Sequence, residues 1–240
     1  MRTLVLLYGV ISYFLFFGVF LYLIAFTGDF FVPKTLSSGP GLASGYALFI
    51  NVGLMLLWGI QHSVMARAWF KNAIASVIPH HVERSTYVLA TSVVLIALMY
   101  YWQPMTGVVW QVENTALQTL LWVIFASGWV LVLISTFLTD HFDLFGLRQS
   151  WLHFVQGTYT NVKFTDRWIY NWIRHPMMLG LLLAFWALPT MTVSHLVFSI
   201  GMSVYIIAGI HFEEQGLTKT LGKDYTDYQA RTSKVIPEVY

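Results

Sequence analysis

The chain has 240 residues, of which 57% are hydrophobic and only 10% charged, against about 25% charged in ordinary soluble domains. The formal net charge of +2 is small and dispersed and gives no reason to expect nucleic acid. The lack of cysteine excludes disulfides, thiolate metal sites and a cysteine nucleophile. At about 20 apolar residues per crossing, the composition predicts an all-α integral membrane protein with five to six transmembrane helices. That leaves one domain over residues 1–240, with its chemistry on span ends and short loops.

Residues 4–26, 43–65, 86–102 and 115–139 read as four N-terminal spans. The first follows Met1-Arg2 and runs 23 residues without a small-x-small cleavage site, which favours a retained span over a signal peptide. Residues 140–175 form a link of 36 residues, beyond the ~12–15 at which a loop without structure of its own becomes suspect. It mixes aromatics such as Phe142, Phe145, Trp151, Trp168 and Tyr170 with Asp140, His141, Asp143, Arg148 and Arg167. We read it as an interfacial cap over a pocket; the plainer alternative is an aromatic belt at the headgroups. From Pro176 apolar sequence continues to Ile210, and Pro189-Thr190 divides it because proline breaks the helical hydrogen-bond ladder. Residues 176–240 are therefore expected to form a C-terminal helical hairpin, or a short pair of spans, with a tail.

Lysine and arginine in short loops mark the cytoplasmic side. Arg67, Lys71 and Arg84, then Arg148, Lys163, Arg167 and Arg174, then Lys219, Lys223, Arg231 and Lys234 all fall on one side, while the opposite connections carry only Lys34 near Asp29, and Glu113. The expected orientation puts Arg174, Glu213 and Glu214 toward the cytoplasm, and the bacterial branch resembled below implies a bacterial inner membrane.

The scarce charges are concentrated in one ordered pattern: Tyr170-x-x-x-Arg174-His175-Pro176-x-x-x-Gly180, an apolar run, Glu213-Glu214, then Gly222-x-x-Tyr225-x-x-Tyr228. Proline suits the first helical position, where its missing N–H would be unpaired anyway. A helix mouth beginning at Pro176, with Arg174 and His175 beside it, suits an anion. The paired acids can accept from ribose hydroxyls and suit a cation, and the tyrosine faces can add cation–π attraction. Gly222 is also a plausible helix C-cap.

This order resembles the cofactor-binding C-terminal half of the membrane methyltransferases related to isoprenylcysteine carboxyl methyltransferase. The resemblance covers roughly residues 165–237. It implies a cytoplasmic-side pocket for S-adenosyl-L-methionine built from Tyr170, Arg174, His175, Pro176, Gly180, Glu213, Glu214, Tyr225 and Tyr228. Alanine at Arg174 or Glu214 is then expected to weaken cofactor binding without unfolding the protein. The prenylcysteine enzymes carry an arginine four residues before the first acid, suited to a substrate carboxylate; here that position is Gly209, which makes a carboxylate substrate doubtful.

Upstream, Gly59-Ile60-Gln61-His62-Ser63-Val64-Met65-Ala66-Arg67 and Asp140-His141-Phe142-Asp143-Leu144-Phe145-Gly146-Leu147-Arg148-Gln149 resemble a bacterial branch of the same superfamily, the methanethiol S-methyltransferases. A neighbouring branch is associated with nitric oxide and nitrite metabolism. The resemblance implies a small thiol as acceptor and dimethyl sulfide as product. Because the thiolate is the nucleophile, a base is needed, and His141 and His62 are the candidates, with Asp140 or Asp143 to orient them. Gln61, Phe142 and Arg148 are expected to line the acceptor pocket. Beyond the thiol and the lipid bilayer, no obligate protein partner is called for, and no compact metal-ligand motif is present. Prenylcysteine or phospholipid acceptors remain open, as do a haem protein, given His62, His141, His195 and His211 at or near helix ends, and a reductase of sterol type.

Overall fold

The computed structural model describes residues 1–39, 42, 44–105, 107–160, 162 and 164–236. Lys163, assigned above to a cytoplasmic loop, lies outside the described residues. Five helices are long and apolar enough to cross a membrane: α1 (Arg2–Gly28), α2 (Ser44–Met65), α4 (His80–Tyr101), α5 (Thr115–Leu138) and α9 (Val193–Leu221). The short helices among them are α3 (Ala68–Ile74), α6 (His141–Leu144), α7 (Leu147–Val155), α8 (Pro176–Trp186) and α10 (Lys223–Arg231). Contacts divide the chain into two compact units, one of Met1–Gly107 with Asp140–Val162, the other of Val108–Thr139 with the described residues from Phe164 onward.

In the first unit α1 packs against α4 and α7, and α2 packs on α4. The α1–α4 pair runs parallel, since near their starts the Tyr8 hydroxyl donates to Thr86 Oγ1 at 2.9 Å, and at their far ends the rings of Phe26 and Trp102 meet edge-on at 6.4 Å. Small residues allow the close approach: a Cβ on Gly9 would collide with the Ser150 side chain, and one on Gly146 would lie 2.6 Å from the Ser85 nitrogen. Gly146 also has φ +87°, a conformation that favours glycine. Asn51, fully buried on α2, exchanges two bonds with the Gln103 backbone, at 2.7 and 2.8 Å, so that its amide is not stranded among apolar groups.

In the second unit α5 and α8 make the most intimate packing. Gly128 and Gly180 face each other so closely that a Cβ on either would sit 2.6 Å from the other's carbonyl oxygen. α8 has only 11 residues, about 16 Å at 1.5 Å per residue, which is too short for a hydrocarbon core of about 30 Å. The C-terminal hairpin is therefore unequal. Between its arms, β2 (Thr190–Thr192) pairs antiparallel with β1 (Val108–Gln111), and the Val112 N–H donates to the Pro189 carbonyl at 2.9 Å. Thr192 then caps α9, accepting from the His195 N–H at 3.2 Å.

Most expected spans agree with the helices to within a few residues, but α4 begins at His80, six residues before the expected 86, because a polar first turn carrying Glu83 and Arg84 is helical too. The link over 140–175 has structure of its own in α6, α7 and a 3-10 turn at Trp168–Asn171, and it is shared between the two units. The ribbon β1–β2 was not foreseen, being only four and three residues long.

Overpacking the α5–α8 contact should be costly. Gly180→Val is expected to destabilise the protein by at least the ~1–3 kcal/mol typical of inserted methylenes, seen as a lowered unfolding temperature in detergent, whereas Gly45→Ala, where an added Cβ meets nothing within 4 Å, should leave it unchanged.

Candidate active site

Ile173 bridges in parallel to Ser233, with the Arg174 N–H donating to the Ser233 carbonyl at 2.9 Å and the His175 N–H to the Lys234 carbonyl at 3.1 Å. Pro176 is the first residue of α8, as its φ preference dictates. These short backbone pairings place Arg174 and His175 against the cytosol-predicted end of α9.

Arg174 is spent on the protein itself. Its Nε donates to Glu214 Oε1 at 2.7 Å, and Nη1 donates to the carbonyls of Gln229, at 3.1 Å, and Thr232. The two side chains are only 8% and 11% exposed. His175 Nε2 lies 3.2 Å from the same carboxylate oxygen and Lys234 Nζ 3.9 Å from the other. Glu213 is different. Successive helical residues point about 100° apart, so Glu213 leaves its side chain 49% exposed, with Oε2 3.6 Å from His175 Nδ1. One acid of the pair closes the fold and the other faces outward.

Tyr170, Tyr225 and Tyr228 stand behind this cluster. Tyr170 donates to the Ser135 carbonyl at 3.5 Å, and burial, reinforced by the charge of Glu213, pushes its pKa up to about 12. Burial, then the charge of Glu214, takes Tyr225 to about 12 as well, and burial raises Tyr228 further. Tyr225 and Tyr228 are 1% and 2% exposed, and Phe164 packs edge-on against both rings at 5.9 and 5.3 Å. Their faces are thus used in packing, and the Tyr228 hydroxyl donates to the Tyr170 carbonyl. Gly180 likewise serves the α5–α8 contact.

An open depression of about 620 Å³ lies beside Tyr228, lined by Asp166, Trp168, Asn171, Trp172 and Arg231. Arg231 pairs with Asp166 and stands 5.9 Å over the Tyr228 ring. Trp168 is 79% exposed at φ +58°, a strained conformation for a bulky residue. From sequence, Trp168 was named only as an aromatic of the cap and Lys234 only as a basic residue of the tail, and Trp172 was not named. Two tryptophans four residues apart in a basic segment were the available signal, and it was absorbed into the general aromatic density.

The upstream motif residues lie in the first unit. His141 is 4% exposed; its Nε2 is 2.9 Å from the Tyr13 hydroxyl, and the rings of Tyr13 and Phe145 meet it edge-on. Burial lowers its pKa below the ordinary histidine value. Asp140 caps α6 by accepting from the Asp143 N–H at 3.1 Å. Asp143, the other expected orienter, accepts from Arg148 at 2.8 Å and Tyr159 at 3.3 Å, and Arg148 also reaches Thr160. Phe142 is half exposed beside Tyr13. His62 bonds the Tyr87 hydroxyl at 2.9 Å and stacks on Trp58, while Gln61 reaches Thr91 at 3.4 Å, as does His62. Because Tyr8 meets Thr86 on parallel helices, Tyr13 and Thr91, each five residues on, stand at one level. The two histidines are therefore attached at similar depth, on opposite partners of the α1–α4 pair.

A family model described as NnrU protein matches residues 50–238. The chain belongs to the NnrU family. Within it, the sequence is 43% identical to the methanethiol S-methyltransferase of Mycobacterium tuberculosis, over 98% of this chain and 97% of the relative. It is 44% identical to the protein of that name from Crocosphaera subtropica, over 98% and 92%, and 42% identical to methanethiol S-methyltransferase 1 of Bradyrhizobium diazoefficiens, over 96% and 81%. No solved structure matches.

The geometry reverses one expectation. Removing one partner of a buried ion pair strands the other, at about 3–5 kcal/mol, so Arg174→Ala and Glu214→Ala should each lower the unfolding temperature sharply rather than act on ligand binding alone. Glu213→Gln should unfold like the wild type. Thermal unfolding in detergent distinguishes the two acids.

Proposed function

We propose that this protein transfers the methyl group of S-adenosyl-L-methionine to methanethiol, releasing dimethyl sulfide, at the cytoplasmic face of a bacterial inner membrane. The observation that carries the reading is similarity along almost the whole chain to proteins bearing the name methanethiol S-methyltransferase. Five long apolar helices agree with a membrane setting, and the lysine and arginine pattern supports the orientation.

The donor set fits the cofactor. Glu213 offers an outward carboxylate beside a histidine and Tyr170, and the depression lined by the residues on either side of Tyr170 offers two exposed indole faces, suited to a ribose, a sulfonium and a purine ring. His175 and Glu213 are the groups assigned to contact it, with Tyr170 beside them. Arg174, Glu214, Tyr225, Tyr228, Pro176 and Gly180 hold those groups in place. When bound, the cofactor supplies an electrophilic methyl carbon on a positively charged sulfur.

For the acceptor, a thiol is mostly protonated near neutral pH, as the cysteine reference of about 8.5 implies. His141 is assigned to take its proton at Nε2 through the Tyr13 hydroxyl, and His62, held by Tyr87, is the competing base. Gln61, Phe142 and Arg148 are assigned to the acceptor side, Arg148 by fixing Asp143 and the α6–α7 turn. His175 and Glu213 would hold the cofactor as its methyl group passes to the thiolate sulfur, leaving a neutral thioether, while the thiol proton would stay on the histidine that serves as base. Charge is annihilated in this step, so exclusion of water favours it. A Cβ at Gly209 would meet nothing within 4 Å, so the lack of an arginine there is a chemical and not a steric matter, in line with an acceptor that has no carboxylate.

Headspace gas chromatography should show dimethyl sulfide when purified protein, cofactor and methanethiol are combined; efficient methylation of a prenylcysteine with no thioether would overturn the assignment. Glu213→Gln should weaken cofactor binding measured by calorimetry while the fold persists. His141→Ala should keep cofactor affinity but lose about 10²–10⁴-fold in turnover, the usual range for a general base. The pH dependence has a definite sign. Because burial lowers its pKa from the ordinary histidine value, His141 keeps its neutral form to lower pH than an ordinary histidine, so the acid limb of kcat/KM should be displaced downward. In His141→Ala the rate should instead climb with the thiolate fraction up to and beyond the cysteine reference of about pH 8.5, since an alkanethiol is a weaker acid than cysteine. If His62→Ala shows this rescuable defect and His141→Ala turns over normally, the two roles are exchanged.

A further inference from the structure

Between Phe14 and Tyr22 on α1 and between Ile96 and Tyr100 on α4, the two parallel helices part to leave a groove of about 420 Å³. Its sides are apolar, including Val19, Ile96 and Met99, and Gly18 leaves them smooth: a Cβ there would meet nothing within 4 Å. Phe14 and Tyr100 remain 65% and 68% exposed, so the groove opens outward on a surface that belongs to the bilayer.

One end is cationic. After α1 the chain folds back, with the Leu36 N–H donating to the Phe26 carbonyl at 3.1 Å and the Tyr22 hydroxyl donating to the Lys34 carbonyl at 3.1 Å, and this brings Lys34 to the groove beside Tyr22 and Tyr100. Burial lowers the Lys34 pKa, and no carboxylate among the described residues pairs with its ammonium. A partly desolvated cation attracts an anion more strongly than one in water. The groove runs from Phe14 to Tyr22 of α1, about 12 Å at 1.5 Å per residue, close to the depth of one leaflet of a hydrocarbon core of about 30 Å. Arg2, Arg67, Lys71 and Arg84 lie at the other end of these helices, away from Lys34, and tyrosines such as Tyr22 and Tyr100 are at home at the membrane–water boundary.

The geometry points to a binding site for an anionic phospholipid, with one acyl chain lying along Gly18 between α1 and α4 and the headgroup phosphate on Lys34. The apolar walls set the chain; the lysine selects the head. Nothing in this site draws on the methyl-transfer reading.

The test is native mass spectrometry of the full chain in detergent, titrated with phosphatidylglycerol and with phosphatidylcholine of identical acyl chains. The wild type should retain phosphatidylglycerol over phosphatidylcholine by about fivefold, the ratio that one lysine near a lipid surface supplies. Lys34→Gln should make the two lipids equal, and Gly18→Leu, whose side chain enters open space, should reduce retention of both with the unfolding temperature unchanged. Inorganic phosphate should not displace the lipid. Undiminished preference in Lys34→Gln, or wild-type retention by Gly18→Leu, would overturn the site; displacement by inorganic phosphate would assign Lys34 to free anions and remove the acyl chain from the proposal.

Discussion

A guanidinium set into a chain with so few charges must be neutralised and hydrogen-bonded on every side, because an unpaired buried charge is among the most expensive things a fold can contain. Arg174 meets that demand with the Glu214 carboxylate and the carbonyls of Gln229 and Thr232. Those partners come from α9, from α10 and from the segment after it, so a single side chain ties three stretches of the second unit together. The same demand fixes the division of the acid pair. With Glu214 surrounded by Arg174, His175 and Lys234, only Glu213 keeps a carboxylate edge for a ligand.

Much of this was legible in the sequence, for specific reasons. A run such as Leu4–Phe26 can do little except cross a bilayer, and Pro189 marks the break between α8 and α9 because proline cannot continue a ladder. The ordered charges from Tyr170 to Tyr228 do converge, and Pro176 does open a helix. What sequence could not reveal was which converging charges are occupied. Arg174 and Glu214 are 40 positions apart, and their mutual capture depends on a parallel bridge of Ile173 to Ser233 that leaves no periodic trace. Tyr225 and Tyr228 look like available aromatic faces until Phe164 is placed against them. Tyr13 is one hydroxyl in a long apolar helix, and nothing in the spacing pairs it with His141, 128 residues away.

The glycines divide along the same physical line. At Gly128 and Gly180 two backbones touch, and at Gly9 the Ser150 side chain closes in, so that a methyl group has no room, while Gly18 and Gly209 face open space. The first kind holds helices together where apolar surface alone cannot drive association within lipid. The second kind leaves grooves and vacancies that a ligand can enter, so one residue type serves both cohesion and access in this chain.

The bridge of Ile173 to Ser233 also sets an order of events. Residues 229–235 are synthesised only after all five long helices, yet they supply the carbonyls and the strand that fix Arg174 and His175. Chains are built from the N-terminus, and early segments fold first. The helices of this protein can therefore be inserted and packed while the mouth of α8 is still unformed, and the site proposed there for the cofactor is the part of the fold that the nascent chain completes last.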